Sequence, residues 1–167
     1  SFGEIIFKTP QAIRRVEIDP DKLYPQADYS DDVAPRESSE SDVLLAVKQE
    51  FDRQEYAAAE KIAREVLSRQ PRYDDVRVLL ARSLLAQNKL TEAESEFRAV
   101  LAEKLPSARS MAWAYHGLAE TASKTGRAQE AVAHANNAIM SGGDYGAGLL
   151  ARTVRNRHSQ GGPADEA

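Results

Sequence analysis

Cysteine is absent from the 167 residues, and with it go disulfides, thiolate nucleophiles and thiolate metal ligands. Histidine is scarce. His116, His134 and His158 are the three present, and no His-Glu-x-x-His spacing or other convergent ligand set joins them. His134 and His158 read as solvated side chains. Phosphate-cradling loops are missing too, because Gly142-Gly143 and Gly161-Gly162 lack the surrounding pattern. No apolar run approaches the ~20 residues that a membrane span needs, and no segment reads as a signal peptide. The acidic stretch Asp28 to Asp32 lacks the Gly and the terminal Glu of a helix-loop-helix calcium site and reads as solvated linker. These gaps predict a chain with no catalytic residues, no metal and no cofactor. It opens at Ser1 without Met, as a cut or processed C-terminal piece of a larger protein would.

Charge is unevenly placed. The net −4 lies in residues 1–40, where nine Asp and Glu face five Lys and Arg; residues 41–167 hold 17 of each. A neutral body with no long basic stripe argues against nucleic acid, whose binding rests on neutralising phosphates. Within the first stretch, Ile5, Ile6 and Phe7, then Val16 and Ile18 alternating with Arg15 and Glu17, read as two short strands joined across Lys8-Thr9-Pro10-Gln11. Such a hairpin is marginal alone in water. Residues 19–40 hold Pro20, Pro25 and Pro35 with Ser30, Ser38 and Ser39, and read as linker.

From Ser41 the apolar period becomes helical. Val43, Leu44, Val47 and Phe51 share one stripe, and Tyr56, Ala59, Ile62, Ala63, Val66 and Leu67 the next, until Pro71 ends the second helix. Val76 to Leu85 forms a third helix ending near Asn88, and Thr91 with Glu94 reads as a capping box opening a fourth. Met111 to Thr125 and Ala128 to Met140, parted by Gly126, are the fifth and sixth. A seventh, with Leu149, Leu150 and Val154 on one side, ends in Arg152, Arg155 and Arg157. Those arginines suit the negative end of the helix dipole, or else meet an anionic partner. The tail from 158 to 167 is expected to be disordered.

The helices repeat. Ala59 to Leu67 moved forward by 34 residues lands on Ala93 to Leu101 with Ala, Glu, Arg, Val and Leu identical. A third copy lies 38 further on, where Ala131, Ala135, Ala138 and Ile139 fall at the sites of Ala93, Phe97, Val100 and Leu101. The segment Lys104 to Arg109 absorbs the four extra residues as a longer turn. A period of this length marks stacked helical hairpins, none of which buries its apolar face without a neighbour.

Within each copy the pattern resembles the tetratricopeptide repeat. The first supplies Ala46, Val47, Tyr56, Ala59, Val66 and Pro71; the second Leu80, Ala81, Leu84, Leu90, Ala93, Phe97 and Val100, with Pro106 one place late. The third supplies Tyr115, Leu118, Ala119, Gly126, Ala131 and Ala138, with Gly143 where a Pro is usual. The family's first-helix Gly is absent, and Ala63 and Ala135 stand where bulk is usual. Over residues 40–143 the resemblance implies an all-α solenoid of three helical hairpins. A capping helix completes the domain at 41–157, and a strand-bearing hairpin or extended arm at 1–40 precedes it.

The same resemblance implies that the first helix of each repeat lines an inner groove. By position the wall comprises Leu44, Lys48 and Phe51, then Asp75, Val78, Arg82 and Leu85, then Trp113, His116, Glu120 and Ser123. Such a wall suits a peptide or protein ligand, or another domain of the same protein. The plainer alternative is that the linker covers Leu44 and Phe51 while Trp113 packs on the turn before it. Leu44 and Val78 occupy places where chaperone-binding members carry Lys and Asn, so that specialised role is not expected.

A second resemblance lies in Val16-Glu17-Ile18-Asp19-Pro20-Asp21-Lys22-Leu23-Tyr24-Pro25-Gln26, followed by Asp28, Tyr29, Asp31 and Asp32. The run is similar to the last strand and exit segment of the β-rich module in gluzincin zinc aminopeptidases of the membrane alanyl type. It implies an alternative role as the accessory C-terminal domain of a metallopeptidase, positioning substrate or docking on the catalytic domain.

Overall fold

The computed structural model describes residues 16–17, 33–34 and 40–159. Two compact units emerge, Ser1–Val43 and Leu44–Ala167. In the first, β1 (Val16–Glu17) pairs antiparallel with β2 (Val33–Ala34), Val16 opposite Ala34 and Glu17 opposite Val33. The partner of Val16 thus comes from the segment that the sequence suggests is linker. Val33 is a single β-branched residue beside two aspartates, too short a run to show a period of two. Residues 5–7, 19–32 and 160–167 lie outside the described residues.

Among the described residues seven helices follow: α1 (Glu40–Asp52), α2 (Tyr56–Arg69), α3 (Asp74–Ala86), α4 (Leu90–Ala102), α5 (Ala108–Lys124), α6 (Ala128–Ser141) and α7 (Tyr145–Ser159). From α2 onward each helix packs on the next, and α5 also touches both α3 and α7. This is the contact pattern of an all-α solenoid, in which each hairpin meets only its neighbours. α7 closes the stack by lying on α5 and α6.

The turn within each hairpin is built the same way three times. Gln54, Asn88 and Gly126 stand at equivalent positions and all have positive φ, 65°, 59° and 77°. The following amide then reaches back to the helix. Glu55 N–H donates to Glu50 O, Lys89 N–H to Leu84 O and Arg127 N–H to Ala122 O, each at 2.9 Å. This closure starts α4 at Leu90, with Lys89 as its N-cap and no side-chain capping bond. The capping box expected from Thr91 and Glu94 is therefore not made. Glu94 instead accepts from Arg98 at 2.8 Å and from Arg127 at 2.6 Å.

Glu60, 34 residues earlier, is used alike: it accepts from Arg64 at 2.9 Å, Lys89 at 2.8 Å and Gln87 at 2.9 Å. Burial pulls the Glu60 carboxyl upward, but bonds from Lys89, Gln87 and Arg64 outweigh it and hold it at about 2. Bonds from Arg127 and then Arg98 bring Glu94 to about 2 as well. Each carboxylate joins a second helix to the turn of the following hairpin. The third copy has Val132 there, and the ladder ends.

Packing follows the repeat register. Val47, Ala81 and Ala119 on the first helices, and Ala59, Ala93 and Ala131 on the second, are all fully buried. Bulk at Phe97 is accommodated by Gly117 on α5, where a Cβ would lie 2.1 Å from Phe97 Cζ. One repeat earlier the equivalent pair is Ala63 and Leu79, with large and small exchanged. Gly143, in place of the usual Pro, lets the α6–α7 turn approach α5, because a Cβ there would fall 1.9 Å from Ala108 O. The α4–α5 connection leaves Leu105 94% exposed, and Ser107 then caps α5, its Oγ accepting Ser110 N–H at 3.0 Å. That cap starts α5 three residues before Met111.

Candidate functional site

α1, α3 and α5 present their unburied faces along one side of the second unit, and two hollows lie there side by side. The first, of ≈ 250 Å³, is lined by Leu44, Lys48, Phe51, Val78, Arg82 and Trp113, with Asp75 also on its wall. The second, of ≈ 240 Å³, is lined by Leu85, His116 and Glu120, and again by Phe51 and Arg82. The hollows therefore share a wall, and together they form one trough. Ser123 lines neither. α7 covers it, since Arg157 donates to Ser123 Oγ at 3.2 Å and His158 Nε2 lies 2.7 Å from the same oxygen.

Arg82 forms the ridge between the hollows. Its guanidinium carbon lies 3.8 Å from the centre of the Trp113 ring and 4.6 Å from that of Phe51, so one side chain from α3 bridges aromatics on α5 and α1. Both contacts are of cation–π type. Among the described residues it makes no hydrogen bond and no ion pair. Burial lowers the pKa of Arg82, partly opposed by Asp144 and Asp52, yet a guanidinium stays charged.

Apart from Lys124, which is exposed to solvent on the wall of the second hollow, the other groove charges are engaged within the protein. Lys48 pairs with Asp52 one turn on. Glu120 pairs with Arg157 at 3.6 Å. Arg109 meets Asp144 at 3.3 Å, and Asp75 accepts from Ser110 Oγ at 3.2 Å. Burial pushes Asp144 up, but donors from Ala147, Trp113 and Gly146, together with Arg109, bring it down. Asp144 thereby caps α7, accepting Ala147 N–H at 3.1 Å, and steadies Trp113.

His116 stands edge-on to Trp113, ring centres 5.8 Å apart at 88°. Burial lowers its pKa to about 4, with Glu120 pulling it back and Arg82 adding to the depression. It is neutral at pH 7, and its Nε2 is buried without a partner. His134 corrects the expectation of solvation. Its ring stacks on Tyr115 at 6.3 Å, its Nδ1 is buried and unpartnered, and burial lowers its pKa. His158 is likewise half-buried against Ser123. Among the described residues no three His, Asp or Glu side chains converge as metal ligands, and no helix is long and apolar enough to cross a membrane.

Sequence reasoning missed Asp52, Arg109 and Asp144 at this site. Asp144 had a local signal, an Asp between Gly143 and a helical run, which is N-cap composition. Arg109 had none, because its value lies in the pairing with Asp144 across the α6–α7 turn.

Residues 50–110 match the tetratricopeptide repeat family. The match runs from the end of α1 through α2, α3 and α4 to the first turn of α5, so it includes Phe51, Val78, Arg82 and Leu85. No curated protein matches the chain. Tetratricopeptide repeats are modules of protein–protein interaction and generally carry no catalytic residues. Neither comparison supports the aminopeptidase resemblance expected at residues 12–32, which lie outside the tetratricopeptide match and, apart from Val16–Glu17, outside the described residues.

Proposed function

We propose that the trough along α1, α3 and α5 binds an extended peptide segment of a partner protein. The observation that supports this reading is the shared wall of the two hollows. Phe51 and Arg82 border both, and Leu44, Leu85 and Trp113 are left only half-buried beside them. Half-buried apolar and aromatic side chains flanking a concave strip are the anchors that peptide grooves use. Leu44, Lys48, Phe51, Val78, Arg82, Leu85, Trp113, His116 and Glu120 form the proposed contact surface.

The test is selection of peptides from a displayed random library on the immobilised chain. Selected peptides should bind the Trp113→Ala and Leu85→Glu variants at least about tenfold more weakly, with thermal melts confirming that both variants are folded. A library that yields no binder, or binders indifferent to both variants, would place recognition elsewhere.

A further inference from the structure

Among the described residues two charged side chains of the trough make neither an ion pair nor a hydrogen bond: Lys124, which is exposed to solvent, and Arg82, which is half-buried between two rings. Its flanks carry the Phe51 and Trp113 rings, but its N–H donors radiate in the guanidinium plane, where neither ring accepts a hydrogen bond. Arg82 is half-buried and lines both hollows, so a partly desolvated charge faces the space a ligand would fill, where an acceptor is worth more than in open water. The neighbouring carboxylates attract its charge from a distance, Asp144 and Asp52 above all, but none of them accepts a hydrogen bond from it. Asp52 is held by Lys48, Asp144 by Arg109, and Glu120 by Arg157. Asp75 receives the hydroxyl of Ser110.

We infer that Arg82 is the recognition point for a single acidic side chain, Asp or Glu, in the interior of the bound peptide. The inference rests on the groove reading and specifies its ligand. Two features favour a carboxylate within the segment over a terminal one. Arg82 stands between two hollows of nearly equal size, ≈ 250 and ≈ 240 Å³, so a segment filling both crosses the guanidinium at its middle. Each hollow also has an apolar wall, Leu44 and Val78 on one side and Leu85 on the other, which suits apolar residues before and after the acid. The forked donors match a carboxylate in two parallel bonds, and the flanking rings hold the fork in place before the ligand arrives.

The experiment uses the intact chain and peptides from the same library, resynthesised with both ends blocked. One central position should be enriched in Asp or Glu between apolar neighbours. Replacing that residue by its amide should weaken binding about tenfold to a hundredfold, the range for a hydrogen bond to a charged group. On Arg82→Gln protein the acid and amide peptides should bind alike. Arg82→Lys should recover only part of the preference, since Lys keeps the charge and loses the fork. Arg82→Met, which retains an unbranched chain between the rings, serves as a folded reference should Arg82→Gln melt early.

Peptides that depend on Trp113 but show no acidic preference would overturn the inference and leave the groove reading intact. Tighter binding of a phosphoserine peptide would assign the site to phosphate and overturn it. So would a requirement for a free C-terminus. If no peptide binds at all, both readings fall together.

Discussion

Two cores divide the helical unit, and they are made of different residues. Around α2, α3 and α4 the buried side chains include Val76, Leu79, Leu80, Leu84, Val100 and Phe97. Around α5, α6 and α7 they are Ala119, Ala122, Ala131, Ala135, Ala138, Ala151 and Val154. A buried Leu or Phe contributes about 1.5–3 kcal/mol through area removed from water. An Ala contributes much less, but it loses no side-chain entropy and lets two helices approach closely. The first core also holds Ala59, Ala63, Ala81 and Ala93, so it is vulnerable to truncation at its large side chains as well as to enlargement at its alanines. The second, nearly all alanine, is vulnerable chiefly to enlargement. The same repeat register supports both, because each depends on its own residues matching the gap they fill. α5 belongs to both cores, with Ala114 and Leu118 in the first and Ala119 and Ala122 in the second.

The largest expected effect is at the junction. Phe97 is fully buried and enters the space left by Gly117, so Phe97→Ala should cost about 3–5 kcal/mol. Gly117→Ala should cost less, about 1–3 kcal/mol, by forcing the ring out of place. Combining Gly117→Ala with Phe97→Leu should recover part of that loss in urea melts. Strict additivity of the two changes would mean that these residues do not share one gap.

Acid should act next in size, and at the shared helix. His116 has its pKa lowered from 6.5 to about 4 by burial, so between these values the unfolded chain binds a proton that the folded chain refuses. Stability then rises with pH across the window and is lost as pH falls through it, by about 3 kcal/mol in all. His134 acts in the same direction. Below pH 4.5 a second loss begins, as Glu60 and Glu94, both held at about 2, have their ion pairs opposed by protonation. Melts at stepped pH should show both phases, and His116→Gln should flatten the upper one. A flat profile from pH 7 to 4 in the parent chain would place His116 in water.

Ala135→Leu tests the second core directly and should cost about 1–3 kcal/mol through overpacking. Ala93→Leu, at the close approach of α4 to its partner helix, should cost a similar amount. The position equivalent to Ala135 in the preceding repeat is Phe97, so the contrast isolates the role of Gly117. An unchanged melting midpoint for Ala135→Leu would mean that the helices of the third hairpin do not approach as closely as their alanines imply.

The smallest effect concerns the turns, where the two halves use different residues for one conformation. Gln54 and Asn88 adopt positive φ, as Gly126 does, and side chains pay about 1–2 kcal/mol for it relative to glycine. Asn tolerates the left-handed region better than Gln. Gln54→Gly should therefore stabilise by about 0.5–1 kcal/mol and Asn88→Gly by less. Thermal denaturation should rank them in that order, and a lower midpoint for Gln54→Gly would show that its side chain has a role in holding the turn.

The repeat made most of the fold readable. A 34-residue self-match locates helices, turns and small contact residues together, because each is set by local periodicity and recurs. The groove positions came instead from the tetratricopeptide resemblance, which implies that the first helix of each hairpin faces inward; the two hollows lie along most of those positions. Less was legible where meaning depends on distant partners. The expected capping box at Thr91 and Glu94 gave way to a bond with Arg127, 33 residues away from Glu94. His134 looked solvated until Tyr115 from α5 was placed beside it.

What the sequence alone determined is the period, and through it an all-α stack of hairpins with small residues at its helix crossings. Only the tertiary structure decided which groove charges are already matched. Lys48, Arg82 and Glu120 look equivalent in the sequence as polar residues on an inner face. Folding gives Lys48 a carboxylate from its own helix and Glu120 an arginine from α7, and places Arg82 between two rings with no acceptor among the described residues. Helical periodicity is written in neighbours along the chain, whereas charge pairing between helices is a property of distances in space.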